Sequence, residues 1–405
     1  MTSATPHTTT VTWGERMIML MGGLPAALAL MALTSVLPKI DAALAHTPHQ
    51  SFLVKQLIGA VGLAMVVGAP AAGFLVHRIG LRNLLVGSLA IYAIAGTAGL
   101  YISDLPILLT TRLCLGFAAA SFQIMSMTLI NTRLSDSERP SWMGRHIAFA
   151  MIGTIFFHPV AGMLGDLDWR GPFALYALAI FLLPAALQAK PALLDNKSMS
   201  TSVNDYSPQP SIFRSNFPWH YLLLAIILGG IAYLPMVYAP YLLRQNGVSS
   251  STFMSLVLTA DSLAGAMMAL CFGRARRRLS HYDAFAVSLA FAGCGALLAV
   301  TVHNLVGVIV GLLIYGMGIG WFTPNLMTAL AARVSAYHQG SAAGIVKSIF
   351  FLSAPLFITI AEPVARKYGP TGAMAMIVVL AFSLLIACVI AGRRLKPANN
   401  TTRYA

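Results

Sequence analysis

Twelve stretches of this 405-residue chain are long and apolar enough to cross a bilayer, and this limits its fold more than any other feature. A helix needs roughly 20 apolar residues to cross about 30 Å of hydrocarbon. Runs of that kind occupy 17–38, 56–76, 83–103, 105–131, 146–165, 171–189, 219–241, 252–272, 284–302, 304–329, 341–361 and 371–392. Inside lipid each segment must satisfy its own backbone polar groups, so the runs are expected as helices. Only 9% of residues are charged, against about 25% in soluble domains. The expected fold is therefore all-α and membrane-integral, with 12 transmembrane helices.

The turns between the runs carry a repeat. GFLVHRIGLR, Gly73 to Arg82, separates the second and third runs and reads as a tight turn. Gly73 and Gly80 would let two helix ends approach, while Arg78 and Arg82 would hold that end in the cytoplasm. Two hundred residues later, Gly273 leads GRARRRLSHY between the eighth and ninth runs. Gly116 and Gly316, then Gly144 and Gly344, recur at the same interval, and WRGP at Trp169–Pro172 has a counterpart in KYGP at Lys367–Pro370. Two homologous six-helix bundles are expected: 17–189 and 218–392, joined by a Ser-, Pro- and Asn-rich cytoplasmic linker at 190–217, with tails at 1–16 and 393–405.

The net charge of +14 reports orientation more than partner. With a cytoplasmic N-terminus, 18 of the 26 lysines and arginines fall on the cytoplasmic side and 6 on the other. That is the positive-inside asymmetry. No basic face interleaved with stacking aromatics is present, so nucleic-acid binding is excluded. The four cysteines lack CxxC spacing, which supports neither a disulfide framework nor a metal site. The N-terminal MTSATPHTTTVTW has no basic leader region and reads as a tail before a retained first helix.

Polar residues inside apolar runs are the functional candidates, because ionisable groups there are expensive and default to function. Arg112 shares a face of the fourth run with Gly116, Ala119 and Gln123. It must find either a wet cavity or helix-end carbonyls. His158 and Gly162 share a face of the fifth run beside Pro159, which removes a backbone donor. Tyr233 and Tyr238 flank Pro235 in the seventh. Asp261, in the eighth, is the only acid deep in any run. It is the candidate proton carrier, since a buried carboxyl is charged when wet or paired and protonated when not. Lys347 lies about two turns into the eleventh run and is expected in the cavity rather than snorkelling to the surface. His77, His303 and Glu362 are expected to be solvated near the interfaces. With Arg112 and Lys347 facing one acid, the cavity is expected to be net positive and to suit an anionic or zwitterionic substrate.

Twelve spans, a central linker and this repeat resemble the major facilitator superfamily over essentially the whole chain. The loop after the second run is similar to the family signature G-x-L-a-D-R-x-G-R-[KR]: Gly73, Leu75, Arg78, Gly80 and Arg82 match, while His77 replaces the acid and Leu81 a basic residue. In the family that acid helps lock helices across the domain interface, so the resemblance makes Gly73, His77, Arg78, Gly80 and Arg82 gating candidates. Arg112 and Gly116 match R-x-x-x-G, whose arginine is implicated in proton coupling. Pro159 and Gly162 match part of the antiporter motif G-P-x-x-G-G, with His158 and Met163 in place of two glycines, and are further gating candidates. Trp169, Arg170 and Phe173 resemble the W-R-x-x-F boundary.

The resulting expectation is a proton-coupled secondary transporter, a monomer in a bacterial inner membrane with both termini cytoplasmic, exporting a small organic compound. Asp261 and Arg112 would couple protons. Arg112, Lys347, Gln123, His158, Tyr233 and Tyr238 would meet substrate. No cofactor is expected. A proton symporter importing a small organic anion and a transport-inactive sensor are the alternatives. A membrane-embedded enzyme finds no support, as HExxH, GxSxG, Walker loops and paired intramembrane aspartates are all missing.

Overall fold

A computed structural model describes residues 11–135, 137–189, 218–335 and 338–395. The expected linker at 190–217, most of the N-terminal tail and most of the C-terminal tail lie outside the described residues. Every described element is helical. In chain order they are α1 Trp13–Leu44, α2 Pro48–Ile79, α3 Leu81–Leu100, α4 Leu105–Arg133, α5 Arg139–Leu167, α6 Gly171–Leu187, α7 His220–Gln245, α8 Ser251–Arg276, α9 His281–Thr301 and α10 Leu305–Ala331. The last helical stretch, Gln339–Leu395, breaks at Gly369, where φ is 69°. That break separates α11, 339–368, from α12, 370–395. The twelve apolar runs thus become twelve helices.

Sequence fixes the helix starts through caps. Asp104, Ser250 and Asn304 each accept a bond from a backbone N–H one turn on, at Ile107, Phe253 and Gly307. Thr12 with Glu15, and Ser280 with Asp283, form reciprocal capping boxes. Such caps satisfy donors that a helix start cannot pair internally. One helix is wound differently. The first 12 residues of α6, Gly171–Leu182, form a 3₁₀-helix, and Leu183–Leu187 are α-helical. Seventeen α-helical residues would reach only about 26 Å. At about 2.0 Å per residue the 3₁₀ portion adds about 6 Å, which brings the segment to bilayer thickness.

The basic stretch 73–82 departs from expectation. It is not a ten-residue turn: α2 runs to Ile79, Gly80 alone reverses the chain at φ 81°, and α3 starts at Leu81. A side chain would strain that left-handed backbone, and glycine does not. Gly73 was expected to permit close approach, yet a Cβ there would meet nothing within 4 Å. His77 and Arg78 are exposed, and Arg78 stacks on Phe74.

By contacts the chain forms two compact units, one of residues 1–33 and 56–209, the other of 34–55 and 210–405. The division falls within α1 and within α2 rather than only at the linker, because the hairpin 34–55 is tied to the rest of the second unit by contacts described below.

Each unit repeats the same glycine crossing. In the first, a Cβ on Gly116 of α4 would stand 2.4 Å from the Val61 carbonyl of α2. In the second, a Cβ on Gly316 of α10 would stand 2.3 Å from the Asp261 carbonyl of α8. Both residues of the pair recur 200 positions on. A second equivalence lies at the helix ends. Arg133 places Nε 3.3 Å from Oε1 of Glu15 at the start of α1. Arg333 reaches His220 Nε2 at 3.1 Å at the start of α7 and donates to Tyr282 Oη at 3.3 Å.

Prolines and glycines break α1 and α10, and side chains of neighbouring helices take up the backbone groups. In α1, broken near Gly22, Ser126 Oγ donates to Ile18 O at 2.7 Å and His146 Nδ1 lies 2.9 Å from Met19 O. In α10, broken between Ile319 and Phe322, Ser288 Oγ donates to Gly318 O at 2.5 Å. Membrane helices tolerate such breaks only with partners of this kind.

Candidate functional site

Asp261 occupies the α8–α10 crossing of the second unit. Its Oδ1 lies 2.2 Å from where a Cβ on Gly316 would be. Only glycine leaves room for the carboxylate. Gly265 and Gly320 continue the same seam one turn on, where a Cβ on Gly320 would stand 2.1 Å from the Gly265 carbonyl. Among the described residues Oδ1 is buried and has no hydrogen-bond partner. The neighbouring Tyr315 hydroxyl donates instead to Ile231 O at 2.6 Å. The equivalent position of the first unit is Val61, so this crossing can be built without an acid. A carboxylate placed where the repeat is satisfied by valine is unlike a packing residue.

Arg112 has the depth expected of it but different surroundings. It is fully buried within the first unit. Nη2 donates to Ala95 O at 2.7 Å and to Gly96 O at 2.9 Å, at the end of α3. The guanidinium lies 4.9 Å from the Phe173 ring and 5.1 Å from the Tyr176 ring of α6. Gly96 and Gly99 make this box possible, since a Cβ on either would collide with Tyr176 or Phe173. A cation at the carbonyl end of a helix, under two aromatic faces, is held by packing and dipoles, while Nε and Nη1 are buried with no hydrogen-bond partner among the described residues. Of the two surroundings open to it, Arg112 takes the helix-end carbonyls and not a wet cavity. Arg112→Met should therefore lower thermal stability by about 1.5–3 kcal/mol, the range for lost charged hydrogen bonds. A thermal melt of the purified protein measures it, and an unchanged melting temperature would refute the structural role.

The other candidates divide between the units. In the first, His158 and Gly162 are buried in α5 and Gln123 is partly buried in α4. Pro159 lies within the unbroken helix Arg139–Leu167. In the second, Lys347 is exposed, with Nζ 5.8 Å from the Phe351 ring. Tyr233 is buried against Phe350 at 5.6 Å. No hydrogen bond or ion pair joins Asp261 to Lys347. Tyr238 belongs elsewhere: its hydroxyl donates to Glu362 Oε2 at 3.3 Å.

Glu362 corrects the expectation of a solvated acid near the interface, being only 5% exposed. Its Oε2 receives Lys55 Nζ at 2.8 Å and its Oε1 receives Arg366 Nε at 3.2 Å. Lys55 escaped notice because it precedes an apolar run and reads as a loop residue. Its partner lies 307 positions away. Burial of a carboxylate at such a place follows from two cations and a phenol gathered around it.

Among the described residues, twelve apolar helices built from two repeats define an integral membrane protein of the two-bundle class. The profile of the Major Facilitator Superfamily matches residues 19–358, and the chain belongs to that family. A chloramphenicol resistance protein of Streptomyces lividans is 25% identical over 176 residues, which is 43% of this chain and 44% of that protein; the match thus spans less than half of the relative. The crystal structure of the nucleoside transporter NupG superposes with a TM-score of 0.75 at 15% identity, over 93% of this chain and 99% of the other. That of a D-xylose–proton symporter superposes with a TM-score of 0.71 at 13% identity, over 91% and 95%. At such identities the likeness is one of fold.

Proposed function

We propose that this protein is a proton-coupled secondary transporter that exports a small anionic or zwitterionic organic compound by alternating access. It would work as a monomer in a bacterial inner membrane with both termini cytoplasmic. The observation that carries the reading is Asp261, a carboxyl whose buried Oδ1 has no partner among the described residues, at a crossing that the other repeat builds with Val61. Such a group holds a proton when dry and gives it up when water or a cation reaches it. Moving one charge down the membrane potential yields about 2.3 kcal/mol per 100 mV, enough to drive substantial extrusion.

Lys347, exposed and without an ion-pair partner among the described residues, is the cation proposed to meet the substrate's negative group. Gln123, His158 and Tyr233 are proposed to line the path. Arg112 and Tyr238 drop out of the substrate contacts, being engaged with carbonyls and with Glu362. Support for export comes from the partial helix-5 motif at Pro159 and Gly162 and from the resistance activity named for the Streptomyces relative. A thermal-shift screen of the purified protein tests the substrate class, using chloramphenicol and panels of anionic, zwitterionic and cationic metabolites at two pH values. Stabilisation confined to anions or zwitterions and lost in Lys347→Gln is expected. A strict preference for permanent cations would refute the charge assignment. Right-side-out and inside-out vesicles under an imposed pH gradient separate export from a proton symporter importing the same compound.

A further inference from the structure

Segment 34–55 buries Val36, Leu37, Ile40 and Val54 and is also fastened to the rest of the second unit by polar groups. Arg244 Nη1 donates to Pro38 O, the Tyr241 hydroxyl to Leu37 O at 3.4 Å, and Arg366 Nη2 to Pro48 O at 3.3 Å. At the centre is the buried Lys55–Glu362 pair, with Lys55 Nζ also 5.7 Å from the Tyr238 ring and 5.8 Å from the Tyr241 ring. A buried ion pair is a poor device for stability, because desolvation offsets most of its attraction. The repeat does not require it either: Ser255 stands 200 positions from Lys55, and the place of Glu362 before the KYGP turn is held by Leu164 before WRGP.

The charges around this pair are balanced in more than one arrangement. Glu362 keeps a resident cation on its own helix, Arg366, at i+4. Were Lys55 to leave, the carboxylate would remain paired. Lys55 in turn shares its hairpin with Asp41, which is bonded to Ser51, one helical turn before Lys55 on α2. One oxygen of Asp41 accepts from Ser51 at 3.1 Å, while the other is buried with no hydrogen-bond partner. Leaving an unpaired charge is what makes breaking a buried pair so unfavourable, and here neither charge would be unpaired.

We propose that Lys55, Glu362, Arg366 and Asp41 form a partner-exchange latch. Docked, Lys55 pairs with Glu362. Released, Lys55 pairs with Asp41 on the hairpin and Glu362 stays with Arg366. Lys55 and Glu362 each keep a charged partner in both positions, and Asp41 gains one on release, so the hairpin leaves the rest of the second unit without orphaning either charge of the docked pair. The latch is independent of substrate and of Asp261.

Hydrogen–deuterium exchange of the full chain in lipid nanodiscs, read on peptides covering 45–56, tests it. E362Q should raise exchange there at least about tenfold, since Lys55 loses its docked partner. D41N keeps an acceptor for Ser51 but removes the alternative carboxylate, and should slow exchange severalfold by depopulating the released position. The apolar pair K55M/E362M should keep the wild-type melting temperature and also exchange slowly. Unchanged or faster exchange in D41N would overturn the latch, as would wild-type exchange in E362Q. Should E362Q fail to fold, D41N decides alone, because it leaves the docked ion pair intact.

Discussion

Asp261→Asn is expected to abolish transport driven by an imposed pH gradient in proteoliposomes while sparing counterflow, the exchange of substrate for substrate. Asparagine keeps the size of the protonated acid and fits against Gly316, yet it cannot release a proton. The loaded carrier can still reorient, but the step that returns a proton is lost. Each coupled charge is worth about 2.3 kcal/mol per 100 mV, so the gradient the carrier sustains should fall about fiftyfold per 100 mV. Substrate-dependent proton movement, followed with a pH dye inside the vesicles, should vanish with it. Full retention of gradient-driven transport would remove Asp261 from the mechanism.

The second large effect is expected at the paired glycines. Gly116→Ala would place a Cβ 2.4 Å from the Val61 carbonyl, and Gly316→Ala one 2.3 Å from the Asp261 carbonyl. Both obstacles are backbone, so neither can swing away. Forcing the helices apart should destabilise each variant by about 1–3 kcal/mol. Melting temperatures of purified variants measure this. Only Gly316→Ala also meets a carboxylate, with Oδ1 at 2.2 Å, so it alone should change how transport depends on pH. Equal pH profiles for the two variants would separate the acid from the crossing.

Much of the fold was legible because membrane helices advertise themselves locally. Hydropathy located all twelve spans, and the interval of 200 between Gly116 and Gly316 marked equivalent crossings. The site was legible only in part. Arg112 was visible as a charge at membrane depth, but its partners are the carbonyls of Ala95 and Gly96, and carbonyls have no letter in a sequence. Glu362 and Lys55 each sit beside the end of an apolar run, where one residue alone reads as solvated. Their burial depends on a pairing across 307 positions that no local pattern reports. Gly73 and Gly80 look alike in the basic stretch, yet only Gly80 has the left-handed backbone that explains it.

The winding of α6 has a mechanical consequence. A 3₁₀ segment stands at the long end of what its residues can span, and each residue rewound into α-helix draws the ends together by about 0.5 Å. Gly171–Leu182 thus hold about 6 Å of adjustable length within a fixed sequence. That one helix can match a thinner hydrocarbon layer by recoiling, without tilting or changing a side chain.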